Sequence, residues 1–390
     1  MKRLRVLIAS EPMEYGVLSY LEHVLDRLDR SRVEPALAYS PRRMAPQGRK
    51  LVARLVREGI RVCPLPFHRG LGAGDATAVT RLRTEVRAFR PDVVHLHSTK
   101  AGLIGRPVAR SAGVRVLYTP HGTSWHYTGR VVGRIQLALE RLLRHLTDGL
   151  LAVCPEEARA FVDEVGFPSA RVRVIRNGVP LPSRARLGAE RRRARAAHEI
   201  PDDETWAVFV GRLTREKGLD VLLRALEAPV GLGGLLVVGE GPERDALEAL
   251  ATRASIPVRF CGYHENVSSF LAAADVFVQP SRSEGLPFSL LEAMAHGLPV
   301  VCSDVGGMPT AVGEGGRVVP ADDPRTLATS LRGMARDGDT RRAVGEAARS
   351  RVAREFGVGG MMEALHESYE EACGWNPRSH RALVGSGEVA

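Results

Sequence analysis

Short apolar runs rich in Val, Leu and Ile alternate with longer amphipathic stretches from one end of this 390-residue chain to the other. That rhythm is the signature of βα units built around parallel sheets, and no internal repeat at a solenoid period interrupts it. Strands are expected at 4–9, 33–39, 60–65, 92–97, 115–119, 149–153 and 172–175, with helices between them, for example at 17–28, 131–146 and 156–165. This makes a complete doubly wound domain over residues 1–180. From Pro180 to Asp203 three prolines and the run Arg191-Arg192-Arg193 break the rhythm, and residues 181–203 are expected to form an interdomain linker. A second series then runs over 204–354, with strands at 207–210, 234–238, 258–261, 276–279, 300–303 and 317–319. A helical segment over 345–373 follows, and the aperiodic residues 374–390 are expected to fray.

Composition narrows the function class. The hydrophobic fraction of 44% and the mixed signs of the charges exclude a disordered chain. Five widely spaced cysteines with no C-x-x-C pair indicate neither a zinc knuckle nor a disulfide framework. The apolar run inside Met1–Ser10 is too short for a signal peptide or a span, and no segment reaches membrane-spanning length. The net charge of +10 is unevenly spread: residues 1–180 hold 30 Lys and Arg against 16 Asp and Glu, and residues 181–390 hold 25 against 29. The first half therefore suits an anionic partner or membrane surface. Nucleic acid is not expected, because the basic clusters lack interleaved aromatics or a known binding motif.

The chemistry-bearing segments sit where strands end. Gly211-Arg212-Leu213-Thr214-Arg215-Glu216-Lys217-Gly218 follows one strand and precedes a helix, which places two cations, Arg212 and Lys217, beside a helix amino end that can seat phosphates. Gly239-Glu240-Gly241-Pro242 and Gly262-Tyr263 are further strand-end glycine turns, able to hold a flat base against backbone. In Ser281 to Val301, Pro287 suits the first turn of a helix ending at His296, Glu284 precedes it and Glu292 lies inside it. Two carboxylates so spaced suit two sugar rings separated by a pyrophosphate at the helix amino end, with the N–H groups of Gly285, Leu286 and Phe288 serving the phosphates. In the first half, Gly16 follows the first strand, His95, His97 and Lys100 end the fourth, and His121 to Tyr127 form a polar loop with Trp125. These histidines have no carboxylate or thiol at metal-ligand spacing. Asp337-Gly338-Asp339 lies between two helices and is read as a turn, and Gly70 to Gly74 lacks the third glycine of a dinucleotide loop.

Together, Gly211-Arg212-Leu213 with Glu216-Lys217-Gly218, Gly239-Glu240-Gly241-Pro242, and Glu284 with Glu292 ahead of His296-Gly297-Leu298-Pro299 resemble family 4 of the retaining glycosyltransferases. The resemblance implies an α/β protein of GT-B fold, two doubly wound Rossmann-like domains facing each other across a cleft, with a final helix at about 355–373 crossing back to the first domain. It implies donor contacts from Arg212 and Lys217 to pyrophosphate, from Glu284, Gly285 and Leu286 to the transferred sugar, and from Glu292 to ribose. Gly16, Gly211, Gly241, Tyr263, Pro287 and Phe288 would complete the donor site. His121 would approach the sugar, while Lys100, Trp125 and Tyr127 are candidates for the acceptor. The implied reaction moves a hexose from a nucleotide sugar, UDP-sugar favoured, to a saccharide or lipid-phosphate-linked hydroxyl with retention, in cell-envelope or exopolysaccharide synthesis. No cofactor and no metal are expected, since two fixed cations can neutralise the diphosphate. The expected location is cytoplasmic, with peripheral contact to the inner membrane face. A GT-B nucleotide-sugar 2-epimerase, a non-catalytic nucleotide-sugar-binding partner subunit and secondary-metabolite glycosylation are the alternatives.

Overall fold

The computed structural model describes residues 3–67, 72 and 74–374, the side chains of Tyr127 and Arg186 excepted. Most of the glycine run 70–74 and the tail beyond 374 therefore lie outside the described residues. The chain divides into two compact units, Met1–Ile175 with Met362–Ala390, and Arg176–Met361.

In the first unit, β1 (Leu4–Ser10), β2 (Val33–Tyr39), β3 (Arg61–Pro64), β4 (Val93–His97), β5 (Arg115–Thr119), β6 (Gly149–Ala152) and β7 (Val172–Val174) form one sheet in the order β3-β2-β1-β4-β5-β6-β7. Every pairing is parallel. Parallel strands are covered by helices on both faces, so their residues read as nearly unbroken apolar runs, and β4 (VVHLH) is buried at all five positions. The second unit repeats the plan with β8 (Trp206–Val210), β9 (Gly234–Val238), β10 (Val258–Gly262), β11 (Val276–Gln279), β12 (Val300–Ser303) and β13 (Gly316–Val319), ordered β10-β9-β8-β11-β12-β13. Its pairings are likewise parallel. In both sheets the winding reverses next to the first strand, between β1 and β4 and between β8 and β11. The loops leaving those strands diverge there, the place where open α/β sheets bind ligands.

Two stretches differ from the sequence expectation. Residues 184–197, expected as linker, form an α-helix within the second unit that packs against helix Ser268–Ala273. Its arginines act as structural clamps: Arg191 binds Asp275 at 2.6 Å and the Ala274 carbonyl at 2.7 Å, and buried Arg195 reaches Asp275, the Ala273 carbonyl and the Glu204 carbonyl. A basic run therefore reads as linker only until its acceptors, about 80 residues away, are known. The helical segment 345–373 is broken into Gly338–Glu355 and Val358–Gly374, because the Phe356 carbonyl leaves the helix to accept from the Val179 N–H at 2.9 Å. Asp337 sits between two helices as expected of a turn and caps the second, accepting from the Asp339 and Thr340 N–H groups at 3.0 Å.

From Met362 onward the last helix counts with the first unit. There the Tyr369 hydroxyl meets His95 Nδ1 at 2.9 Å, His366 Nε2 accepts from the Asp29 N–H at 3.1 Å, and Arg173 is bracketed by Glu367 and Glu371.

Candidate functional site

The three loops that end β8, β9 and β11 lie backbone against backbone. The Gly211 N–H donates to the Val238 carbonyl at 3.0 Å, the Leu213 N–H to Glu240 at 3.0 Å, and the Arg282 N–H to Glu216 at 2.7 Å. Such close approach leaves no room for a side chain at several glycines. A Cβ on Gly239 would stand 1.9 Å from the Gly211 carbonyl oxygen, one on Gly241 2.2 Å from Leu213, one on Gly218 2.0 Å from Pro280, and one on Gly306 2.1 Å from Glu284. Gly218 and Gly306 also have φ of +66° and +55°, in the left-handed region. Gly241 is thus required by loop packing within the protein, whatever it does for a ligand.

On this platform Lys217, at the end of the 3₁₀ turn Arg215–Lys217, places Nζ 2.6 Å from Glu284 Oε1. The same oxygen accepts from Gln279 Nε2 at 2.9 Å and Ser281 Oγ at 2.7 Å, and Ser289 Oγ braces Gln279 at 3.1 Å. The bonds from Lys217, Gln279 and Ser281 all reach one carboxylate oxygen of a nearly buried side chain. Glu284 is held rigidly while Oε2 keeps its acceptor capacity. Arg212 is half-buried in the loop before it.

Helix Phe288–Ala295 starts after Pro287, which serves as the N-cap residue rather than the first helical one, and its capping position makes no side-chain hydrogen bond to the helix. Its first N–H groups point away from the helix, beside the Gly285-Leu286 segment. Glu292 lies inside that helix, and burial alone pushes its carboxyl up to about 7. His296 closes the helix, with Nδ1 2.8 Å from the Glu292 carbonyl and Nε2 2.9 Å from Ser268 Oγ. Tyr263 is half-buried just beyond β10.

Sequence reasoning missed the residues that brace this site. Arg282 forks onto Asp220 at 2.7 and 2.8 Å and reaches Asp322 at 2.6 Å, so its charge is already neutralised. Asn177 donates Nδ2 to the Leu286 carbonyl at 2.6 Å, fixing the loop between the two glutamates. An Asn-Gly pair two residues ahead of a proline reads as a turn, and nothing local tells that its amide serves a segment 109 residues away.

In the first unit His121 has φ of +62° and approaches His97 Nδ1 with Nε2 at 3.0 Å. Tyr20 packs edge-on against His121 with centroids 5.0 Å apart, and His95 bonds Thr119 Oγ1 at 2.8 Å. Burial lowers His95 and His121 to about 3 and holds His97 well below the usual imidazole range, so the cluster is neutral at physiological pH. Beneath it buried Glu157 accepts from the Val153 N–H at 2.7 Å and from the Gly122 N–H, and burial pushes its carboxyl up to about 7. Lys100 contacts Asp75 at 2.8 Å. Gly16 has open space around it, in the first turn of helix Tyr15–Arg27. Trp125 is different: its ring is buried against Phe161 and its indole N–H donates to Glu164 at 2.9 Å, so it packs the core rather than offering a surface to an acceptor. The Tyr127 side chain lies outside the described residues. Among the described residues no three His, Cys, Asp or Glu side chains converge to hold a metal ion.

Comparison with known proteins gives the family and the fold. The model of "Glycosyl transferases group 1" matches residues 204–337, and that of the "Glycosyl transferase 4-like domain" matches residues 16–178. The D-inositol 3-phosphate glycosyltransferase of Streptomyces avermitilis is 32% identical over 326 residues, which cover 76% of this chain and 68% of the relative. A sulfoquinovosyl transferase of Arabidopsis thaliana is 27% identical, with 80% of this chain and 63% of that protein covered. The chain thus spans about two thirds of the length of these relatives. Among solved structures, Anabaena HepE in complex with UDP-glucose superposes with a TM-score of 0.76 at 18% identity, covering 95% of this chain and 100% of the other. That likeness establishes the fold, two Rossmann-like parallel-sheet domains of the GT-B class.

Proposed function

The chain belongs to the family of group 1 glycosyl transferases, and from that premise we propose that it is a retaining hexosyltransferase using a UDP-sugar, with a saccharide or lipid-linked hydroxyl as acceptor. The observation that supports it most directly is the convergence of Lys217, Gln279 and Ser281 on Glu284 at the point where the second sheet reverses its winding. In this reading Lys217 and Arg212 neutralise the donor diphosphate together with the first N–H groups of helix Phe288–Ala295, and Glu284 grips hydroxyls of the transferred sugar. Glu292 grips the ribose, Tyr263 and the Gly241 turn line the base, and the acceptor falls to the first unit, with His121 and Lys100 at its strand ends. Charge develops on the diphosphate as the glycosidic bond breaks, so fixed cations and amides lower the barrier by electrostatic preorganisation. The leaving phosphate itself takes the acceptor proton, which calls for no protein nucleophile and no metal.

The basic first half suits an anionic acceptor, and one relative is named for D-inositol 3-phosphate, an anionic polyol. A place in cell-envelope or exopolysaccharide synthesis fits such chemistry. Among the described residues no helix is long and apolar enough to cross a membrane.

Calorimetric titration of EDTA-treated protein with UDP, GDP and dTDP tests the donor assignment. Micromolar binding of UDP, followed by hydrolysis of one UDP-sugar and an NMR assay of the anomeric configuration of the product, is the expected result. Binding of UDP without turnover of any UDP-sugar would favour the partner-subunit reading, absence of binding by all three would overturn the donor assignment, and release of a free epimer without acceptor would favour the epimerase.

Glu292 adds a prediction in pH. Its folded value of about 7 lies above its ordinary 4.5, so the stability it contributes is full below pH 4.5 and is lost as pH rises through 7. Ribose hydroxyls prefer to donate to the ionised carboxylate, so UDP affinity should rise over the same window. Melting curves and titrations between about pH 5 and 8 should show the two trends running in opposite directions, and both should flatten in Glu292→Gln. A variant with the parent's pH dependence would remove Glu292 from the site.

A further inference from the structure

We infer that helix Arg130–Leu143 of the first unit is a docking face for an anionic lipid bilayer. Val131, Val132, Ile135 and Leu142 are 71%, 51%, 55% and 67% exposed, whereas the other exposed large apolar side chains, Val56, Val174, Leu181 and Val318, are scattered over separate elements. At helical spacing, residues 131, 135, 138 and 142 form one outward stripe, with Val132 and Leu139 beside it. Arg130, Arg134 and Arg141 are exposed along one flank of that stripe.

The helix cannot turn to bury the stripe. On its inner face a Cβ at Gly133 would stand 2.5 Å from the Trp125 carbonyl oxygen, so the helix backbone lies directly on helix Ser124–Tyr127. Buried Glu140, the only acid of the helix, is held by Arg106 at 2.9 Å and the Tyr118 hydroxyl at 3.1 Å. Its outward charge is therefore purely positive.

Charge selects the occupant. A two-fold contact with a second copy would set the arginine rows against each other, and the outward residues include no Trp or Tyr of the kind that anchors protein interfaces. Aliphatic side chains that enter the headgroup boundary, flanked by arginines whose stems reach up to phosphates, match a helix lying in the plane of an anionic membrane surface.

The test is co-sedimentation of the full chain with vesicles of phosphatidylcholine alone and of an equal mixture with phosphatidylglycerol. Binding to the mixed vesicles only, weakened by salt, is expected. Arg130→Gln with Arg134→Gln should lower partitioning by about 30-fold, since each basic contact is worth roughly fivefold. Ile135→Asp with Leu142→Asp should abolish it, and the milder Ile135→Ser with Leu142→Ser should weaken it with an unchanged melting temperature. Equal binding to both vesicle types, wild-type binding by the serine pair, or a concentration-dependent dimer that the serine pair removes would overturn the inference. It stands apart from the donor chemistry: UDP titration of the same variants should match the parent, so failure of one reading does not touch the other.

Discussion

Lys217→Ala is expected to lower turnover about 10²- to 10³-fold with the fold intact, as loss of one preorganised contact to a developing negative charge does. The structure gives this residue two duties. Its ammonium stands in the loop that would face the diphosphate, and it also pairs with Glu284 at 2.6 Å. Removing it leaves Glu284 with Gln279 and Ser281 as donors, so the carboxylate keeps its place while the site loses a positive charge. Lys217→Arg should recover only part of the loss, because a planar guanidinium cannot repeat the geometry of a point charge at that distance. Arg212→Ala should fall in the same range. Single-turnover hydrolysis of the donor, read beside UDP affinity, separates a lost transition-state contact from lost binding. Near-parental turnover in both variants would end the assignment of this loop as the diphosphate site.

Gly218→Ala should do comparable damage by another route. An alanine there must adopt φ near +66° and place its Cβ 2.0 Å from the Pro280 carbonyl oxygen, so the loops after β8 and β11 have to part. The neighbour is backbone and cannot swing aside. A left-handed non-glycine residue costs about 1 to 3 kcal/mol before any clash, and a loss of roughly 3 kcal/mol or more is expected. For a unit of this size that lowers the melting temperature by about 6 to 12 °C. Because Lys217 and Glu284 stand on the two loops forced apart, UDP affinity should fall with it. Gly333→Ala is the control: inside helix Pro324–Arg336, with nothing near its added Cβ, it should stabilise by about 1 kcal/mol. Equal melting of Gly218→Ala and the parent would show that the loops are not locked together as described.

Much of this architecture is legible along the chain because it rests on local periodicity. Strands expected at 33–39, 115–119, 234–238, 276–279 and 300–303 occur at those residues, since strands buried on both faces are written as short apolar runs between glycine and proline turns. The Pro287 and Gly297 signals bracket helix Phe288–Ala295 to within a residue at either end. Where the reading departed from the structure, as at residues 184–197 and at Phe356, the deciding bond ran to a distant segment.

The sequence by itself determined the βα alternation, the strand ends and the kinds of residue placed there: two cations, two carboxylates, glycines and a helix start. Only the tertiary structure decided how they combine. Lys217 meets Glu284 across 67 residues because β8 and β11 are neighbours in the sheet, Asn177 holds Leu286 across 109, and Tyr369 returns to His95 across 274. The physical reason is that hydrophobic period and turn chemistry are properties of a few consecutive residues, whereas the partner of a buried polar group is set by strand order and winding.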